Sequence, residues 1–324
     1  MSENVNLATT TSITSTYTGE FANDYVSAAL LSAKSLDNGA FTIIPNVKYQ
    51  HTLNLGATAS LLKNATCDFD ASGSVTLTEK VLAVKHVNVN LQVCKRDFLS
   101  SFNAAQMGYS DHQTLPTSFS DWILSHVIAD VASSFETLIW SGDSTVAGEI
   151  NGVVTELTVD ASLPAAQEGA TTAVTVANVV GTCLTPTVAA IPNTCYGKEG
   201  MTLYCANNVV KAYIASQGGN IATTGNHSGT DAKGNQWYNN GSLTFNGLPI
   251  MMCPGLPDNH VIATYRDNLV YACSVMSDMS EVKVIDMSDI DGSDNVRIVM
   301  KMAAVASYKY AEDIVTYGFA NGAN

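Results

Sequence analysis

At 324 residues the chain is long enough for a substantial buried core, held in one elaborated domain or in two closely joined ones. Hydrophobic residues make up 46% and charged residues only 14%, against roughly 25% charged in ordinary soluble domains; Thr, Ser, Asn and Ala fill the difference, which suits a surface buried against other protein. A formal net charge of −14 without any basic cluster repels polyanions, and this disfavours direct nucleic-acid binding.

Seven cysteines (67, 94, 183, 195, 205, 253, 273) form no CxxC or zinc-type spacing. An odd number in that arrangement argues against a complete disulfide framework or a Cys-rich metal site, and for buried thiols in a reducing compartment. The N-terminal stretch has no basic region followed by an apolar one, so no signal peptide is expected, and no apolar run reaches a membrane-spanning length.

Residues 1 to 22 are polar and rich in Thr and Ser, and read as an extended arm that orders on a partner. Phe21, Tyr25, Ala28, Ala29 and Ser32 then suit a short amphipathic helix to about Lys34, closed by Asp37-Asn38-Gly39. Two strands follow, Lys48 to Leu55 and Val75 to Val93, in which Val87, Val89, Leu91 and Val93 alternate with His86, Asn88, Asn90 and Gln92. With a turn at Asp70, Ser72, Gly73 and Ser74 they predict a long two-stranded arm, too polar to stand without a neighbouring surface; a hairpin folded back within one globular sheet is the alternative.

Pro116 to Asp143 is the longest segment with an uninterrupted helical pattern. Leu124, Val127, Ile128, Val131, Phe135 and Leu138 stack in one stripe at about 100° per residue. Ser118 and Asp121 match a capping box and Gly142 a stop, giving a rod of roughly 36 Å at about 1.5 Å per residue. Beyond it the pattern predicts a strand and loop over 151 to 173, a helix over 174 to 190 interrupted by Pro186, and a helix over Leu203 to Gln217. Gly218-Gly219 closes that helix, and Gly219 to Ser242 is a Gly/Asn-rich excursion. Strands then dominate at 243 to 245, 248 to 252, 260 to 265, 269 to 272, 281 to 285 and 296 to 305, with DIVTYG last. Helices and strands mixed without βαβ repeats predict an α+β fold.

The motifs that position nucleophiles, zinc or phosphates (G-x-S-x-G, H-E-x-x-H, G-x-x-x-x-G-K-[ST]) do not occur. The six histidines (51, 86, 112, 126, 227, 260) show no helical metal-pair spacing; His126 reads as a packing residue and His86 as solvated. The acidic run Asp286 to Asn295, with Asp289, Asp291 and Gly292, resembles part of a calcium loop, but Met287 and Ile298 fall where carboxylates are required, so it reads as a solvated turn. No catalytic, cofactor-binding or metal residues are predicted. An enzyme would have to gather distant groups such as His227, His260 and Asp258.

The order of elements, and LIWSGD at the end of the long helix (Leu138, Ile139, Trp140, Gly142, Asp143), resembles the major capsid proteins of tailed bacteriophages with the Hong Kong 97-type fold. Thr244 to Ala272, with its G-L-P-I turn and N-L step, and Val296 to Gly318 are similar to that family's later strands. The resemblance implies an N-terminal arm at 1 to 46, an extended E-loop at 47 to 95, a peripheral domain at 96 to 175 with a spine helix at about 118 to 141, an axial domain at 176 to 293, and returning strands at 294 to 324. It implies a non-enzymatic subunit, without cofactor, that assembles with itself into hexamers and pentamers. The shell would enclose double-stranded DNA without sequence-specific binding, have no membrane, and be located in the virion after assembly in the host bacterial cytoplasm. A separate scaffolding protein, a portal and decoration proteins are the implied partners. Lys63 lies in the implied E-loop, where the name-giving member crosslinks through Lys and Asn, but one Lys in a loop is weak support and an exposed lysine accounts for it. Other readings are a β-rich surface or fibre-forming binding protein, and the shell of a cellular nanocompartment of the same fold.

Overall fold

Two five-stranded sheets and a separate two-stranded hairpin carry the chain in a computed structural model that describes residues 34–59, 62–65, 67, 73–94, 117–219, 243–274, 282–288, 290 and 292–322, with backbone alone at 34, 57–59, 117–126, 128, 217–219 and 282. The expected N-terminal arm, the helix before Lys34, the side chains of Ser118, Asp121, Trp122, Leu124 and His126, and the Gly/Asn-rich excursion lie outside the described residues. By contact the chain divides into two units: Leu30–Val89, Ile128–Glu281 and Met300–Asn324 in the larger, and Met1–Ala29, Asn90–Val127 and Val282–Val299 in the smaller.

In the larger unit a short helix α1 (Lys34–Asp37) turns at Gly39, whose φ of 68° favours glycine, into β1 (Thr42–Ile44). β1 runs parallel to β9 (Leu269–Cys273), and β9 pairs antiparallel with β11 (Asn295–Tyr308). β4 (Lys85–Cys94) also pairs with β11, and β10 (Val282–Asp286), which belongs to the smaller unit, follows β11 in the strand order. The second sheet has the order β12 (Val315–Tyr317), β8 (Val261–Tyr265), β5 (Met201–Cys205), β7 (Leu248–Met252), β6 (Leu243–Phe245). β5 is parallel to β7 and antiparallel to β8.

The hairpin is β2 (Gln50–Ala59) against β3 (Ser74–Ala83), in register from Gln50↔Ala83 to Ala59↔Ser74. The expected second strand, 75 to 93, is therefore two strands. Val84, 9% exposed, breaks it and packs with Leu82, Val270, Ala272, Ala303 and Val305, so apolar burial at one residue redirects the chain into the body sheet. β4 keeps the expected alternation, with Val87, Val89 and Leu91 half-buried and His86, Asn88 and Asn90 exposed.

The spine helix α2 spans Thr117–Ser141, one residue from the expected start. Its buried face near the C-terminus is Phe135, Glu136, Ile139 and Trp140, rather than the stripe through Val131, Phe135 and Leu138. Two further expectations are corrected. Residues 153 to 159 are a helix, α3 (Val153–Val159), in which Val153, Val154 and Leu157 are buried at helical spacing, so tertiary burial overrides the β propensity of VVTELTV. The helix expected over Leu203 to Gln217 starts at Asn207 and runs as α5 to Gly219; its first residues are β5, buried at all five positions, and a fully buried strand shows no alternation to separate it from a helix.

Pro186 acts as expected, by a specific route. Residues Val179–Leu184 form a π-helical segment in which the Thr185 amide reaches Val180 O, five residues back, before α4 (Thr185–Ala189). The proline has no amide to donate, and the widened turn absorbs the missing bond.

In the smaller unit Val296 and Ile298 are buried on β11, Arg297 Nε donates to Gln92 Oε1 at 3.0 Å, and Met287 N donates to Asn295 O at 2.9 Å across the acidic turn. Asp286 accepts from Ser288 N at 3.0 Å and from its hydroxyl, which makes it a turn-former; Asp289 and Asp291 lie outside the described residues.

Candidate functional site

The features that the sequence singles out are structural joints in the larger unit. At LIWSGD, Gly142 passes so close to its neighbours that a Cβ there would stand 2.3 Å from Ile150 O, and a Cβ on Gly152 would stand 2.6 Å from Trp140 O. The two glycines let the helix end and the next segment touch through Gly152 N donating to Gly142 O at 2.9 Å. The loop is then closed by side chains. Asp143 Oδ1 accepts from Thr145 N at 2.8 Å, Asn151 Oδ1 from Ser144 N at 2.8 Å, and Glu149 Oε2 from Asp143 N at 2.9 Å. Lys85 Nζ, at the start of β4, donates to the carbonyls of Ser144 and Val146. The two amide and hydroxyl contacts from Thr145 hold the Asp143 carboxyl below its ordinary value.

One turn earlier, Trp140 and Glu136 grip α1. Trp140 Nε1 donates to Ser35 Oγ at 2.9 Å, and Ser35 donates in turn through its hydroxyl to Glu136 Oε1 and through its amide to Oε2 at 3.2 Å. Both Glu136 and Trp140 are 0% exposed. Phe41 and Tyr204 lie 5.1 and 5.8 Å from the Trp140 ring, and a Cβ on Gly255 would stand 2.0 Å from Glu136 O. A buried carboxylate is tolerated because both oxygens accept hydrogen bonds.

The G-L-P-I turn and the N-L step also have causes. Asn246 and Gly247, at φ of 46° and 80°, form the two-residue turn joining β6 to β7, and a hairpin turn of that hand asks for Asn-Gly. Asn268, 0% exposed, spends its whole side chain on the corner between β8 and β9. Its Nδ2 donates to Thr264 Oγ1 at 3.0 Å and Tyr310 O at 2.9 Å, and its Oδ1 accepts from Lys309 N at 3.2 Å and Tyr310 N at 2.8 Å.

A second polar knot was not legible in the sequence. Asp313 accepts from Cys195 Sγ at 2.9 Å, Lys198 Nζ at 3.0 Å and Tyr265 OH at 3.0 Å, while Lys198 sits 4.5 Å above the Tyr265 ring. Burial pushes the Asp313 carboxyl up, and the three hydrogen bonds with the Lys198 charge more than offset it, leaving it low. Cys195 is raised by burial and by Asp313. Burial likewise raises Cys183, to about 12, and Cys205 and Cys253. A thiol held protonated is a poor nucleophile.

The groups that an enzyme reading would gather are His227, His260 and Asp258. His260 Nδ1 lies 2.8 Å from the main-chain oxygen of Asp258 and its ring stacks on Phe319 at 5.4 Å, while His227 lies outside the described residues. Among the described residues no cluster of His, Cys, Asp and Glu is placed to hold a metal ion, and no helix is long and apolar enough to cross a membrane.

What the described residues do offer is surface. On one face of the hairpin Val75, Leu77 and Val81 are 65%, 74% and 53% exposed, with Leu62 at 97% in the connecting loop and Tyr49 at 76% at the base. Lys63 is exposed beside Leu62. Large apolar side chains concentrated on one projecting element mark an interaction surface.

No family model and no curated protein matches the sequence. Solved structures do. The capsid of a native GTA particle matches with a TM-score of 0.59 at 13% identity, covering 94% of both chains. The capsid of cyanophage A-1(L) matches at 0.57 and 13% identity, over 93% of this chain and 96% of that one. The chain has the Hong Kong 97-type capsid fold. A structure from Mycobacterium phage Cain matches at 0.53 and 13% identity, over 94% and 95% of the two chains.

Proposed function

We propose that this chain is a major capsid protein that assembles into hexamers and pentamers forming the icosahedral shell around the double-stranded DNA genome of a tailed phage. The observation that carries the reading is a capsid fold matched over nearly the whole of this chain and of its structural neighbours. The exposed apolar hairpin and the low charge content support it, since both suit surfaces buried between subunits. The proposal assigns residues 1 to 46 to an N-terminal arm, 47 to 95 to an E-loop, 96 to 175 and 294 to 324 to a peripheral domain, and 176 to 293 to an axial domain. The subunit is structural, not catalytic, and works in the virion after assembly in the host cytoplasm.

Partners besides other copies would be a scaffolding protein, a portal and decoration proteins. One similar structure is a satellite phage P4 procapsid that includes a size determination (Sid) protein, with a TM-score of 0.50, which favours testing assembly with a helper. Expression with and without a candidate scaffolding protein, followed by sedimentation, tests the proposal. Shell-sized material supports it, and subunit-sized species under every condition reject it.

A further inference from the structure

The charge of the chain is unevenly placed. Between Glu168 and Asp258 the charged residues are Lys198, Glu199, Lys211, Asp231 and Lys233, three lysines against two acids, and from Gly169 to Gly197 there are none. The whole acidic excess lies outside this stretch. The uncharged run includes the π-helical segment (Val179–Leu184) and α4 (Thr185–Ala189), which follow one another as a single rod. Val179, Cys183, Leu184, Thr187 and Val188 are buried, while Val180, Gly181, Thr185, Pro186 and Ala189 are exposed. One face is packed in the body, yet the opposite face has no charge and no long polar side chain. Val180 is 39% exposed, and Val176, in the turn before the rod, 49%. A Cβ added to Gly181 would meet nothing within 4 Å. The other helices differ: Asp37 on α1, Asp130 on α2, Glu156 on α3 and Lys211 on α5 stand at exposed or half-buried positions. A surface helix keeps charged and polar residues on its outer face, and a helix without them is one that is covered on both sides.

We propose that the outer face of this rod, formed by Val176, Val180, Gly181, Thr185, Pro186 and Ala189, is a contact surface for a second copy of this chain. Charge selects the occupant. Copies that each carry a net charge of −14 repel wherever their acidic parts meet, so they approach most easily where charge is absent. A cationic partner is drawn to the acidic parts of the chain instead. Side chains this short lose little rotamer freedom on contact, and the open position at Gly181 lets a neighbouring surface come close to the helix backbone. The assignment rests on the shell reading for the presence of many copies. It adds a place where two of them touch, separate in sequence from the exposed hairpin.

Photocrosslinking tests the contact in assemblies formed from equal amounts of isotopically heavy and light full-length protein, with p-benzoylphenylalanine in place of Val176 or Val180. The expected products join a heavy peptide to a light one. Crosslinks confined to single copies, for example to the Gly/Asn-rich excursion over 219–242, or none from either position, overturn the proposal. Sedimentation of the same samples separates it from the shell reading. Closed shells without heavy–light crosslinks remove this contact and leave the shell, whereas small oligomers with such crosslinks keep the contact and remove the shell. Variants without the probe give a second readout. Val180→Asp, which places a charge on the face, should lower the assembled fraction about ten-fold or more with thermal unfolding unchanged, and Val180→Thr, similar in shape and uncharged, should assemble as wild type does. A Val180→Asp protein that assembles like wild type contradicts the proposal.

Discussion

Asn268 shows how much a single residue carries in this fold. All four hydrogen-bonding positions of its amide are used in a fully buried corner. Asn268→Asp keeps the shape but turns two donors into an acceptor facing the Tyr310 carbonyl, and denaturant unfolding should show a loss of about 3 kcal/mol or more. Asp313 predicts a pH dependence. Its carboxyl is held low in the folded state, so its stabilising contribution is complete above the ordinary aspartate range near about 3.9 and is lost as the pH falls through the folded value. The stability of Asp313→Asn should therefore fall less steeply than that of wild type between pH 5 and pH 2, and parallel slopes would remove Asp313 from the account. Neither residue's partners could be read from the sequence. Asn268 stood out only as part of a short N-L step, and Asp313 meets Cys195 from 118 positions away.

At the scale of elements, periodicity found what is half-buried and lost what is wholly buried. The alternation in β4 and the long helix were legible because one face of each meets something different from the other. β5, buried on both faces, merged with the helix behind it, and α3 was hidden by its valines. The spine helix was placed to within a residue, yet Glu136 on its buried face was missed, because the carboxylate's partner Ser35 is 101 residues distant. Within the hairpin the division of labour is testable. Leu82→Ala removes a 2% exposed side chain from the base cluster and should cost about 2–5 kcal/mol of subunit stability. Leu77→Ser, on a residue 74% exposed, should leave thermal unfolding nearly unchanged while lowering the yield of assembled particles. Equal effects of the two on unfolding would contradict the assignment of the outer hairpin to contacts between subunits.

For the molecule as a whole, low charge density and apolar surface on a projecting hairpin are liabilities in a monomer and assets in a shell. The net charge of −14 adds a second consequence for the proposed shell, a wall that would attract packaged DNA weakly. Assembled particles should accordingly bind free DNA little even at low salt, and tight, steeply salt-dependent binding would count against an acidic inner wall. The central claim, that this fold closes into a container, is tested most directly by cryo-electron microscopy of the protein expressed with a candidate scaffolding partner. The account predicts closed polyhedral particles built of hexameric and pentameric capsomers, with the 50–59/74–83 hairpin resting on a neighbouring subunit. Monodisperse monomers, or open fibres in place of closed particles, would contradict it.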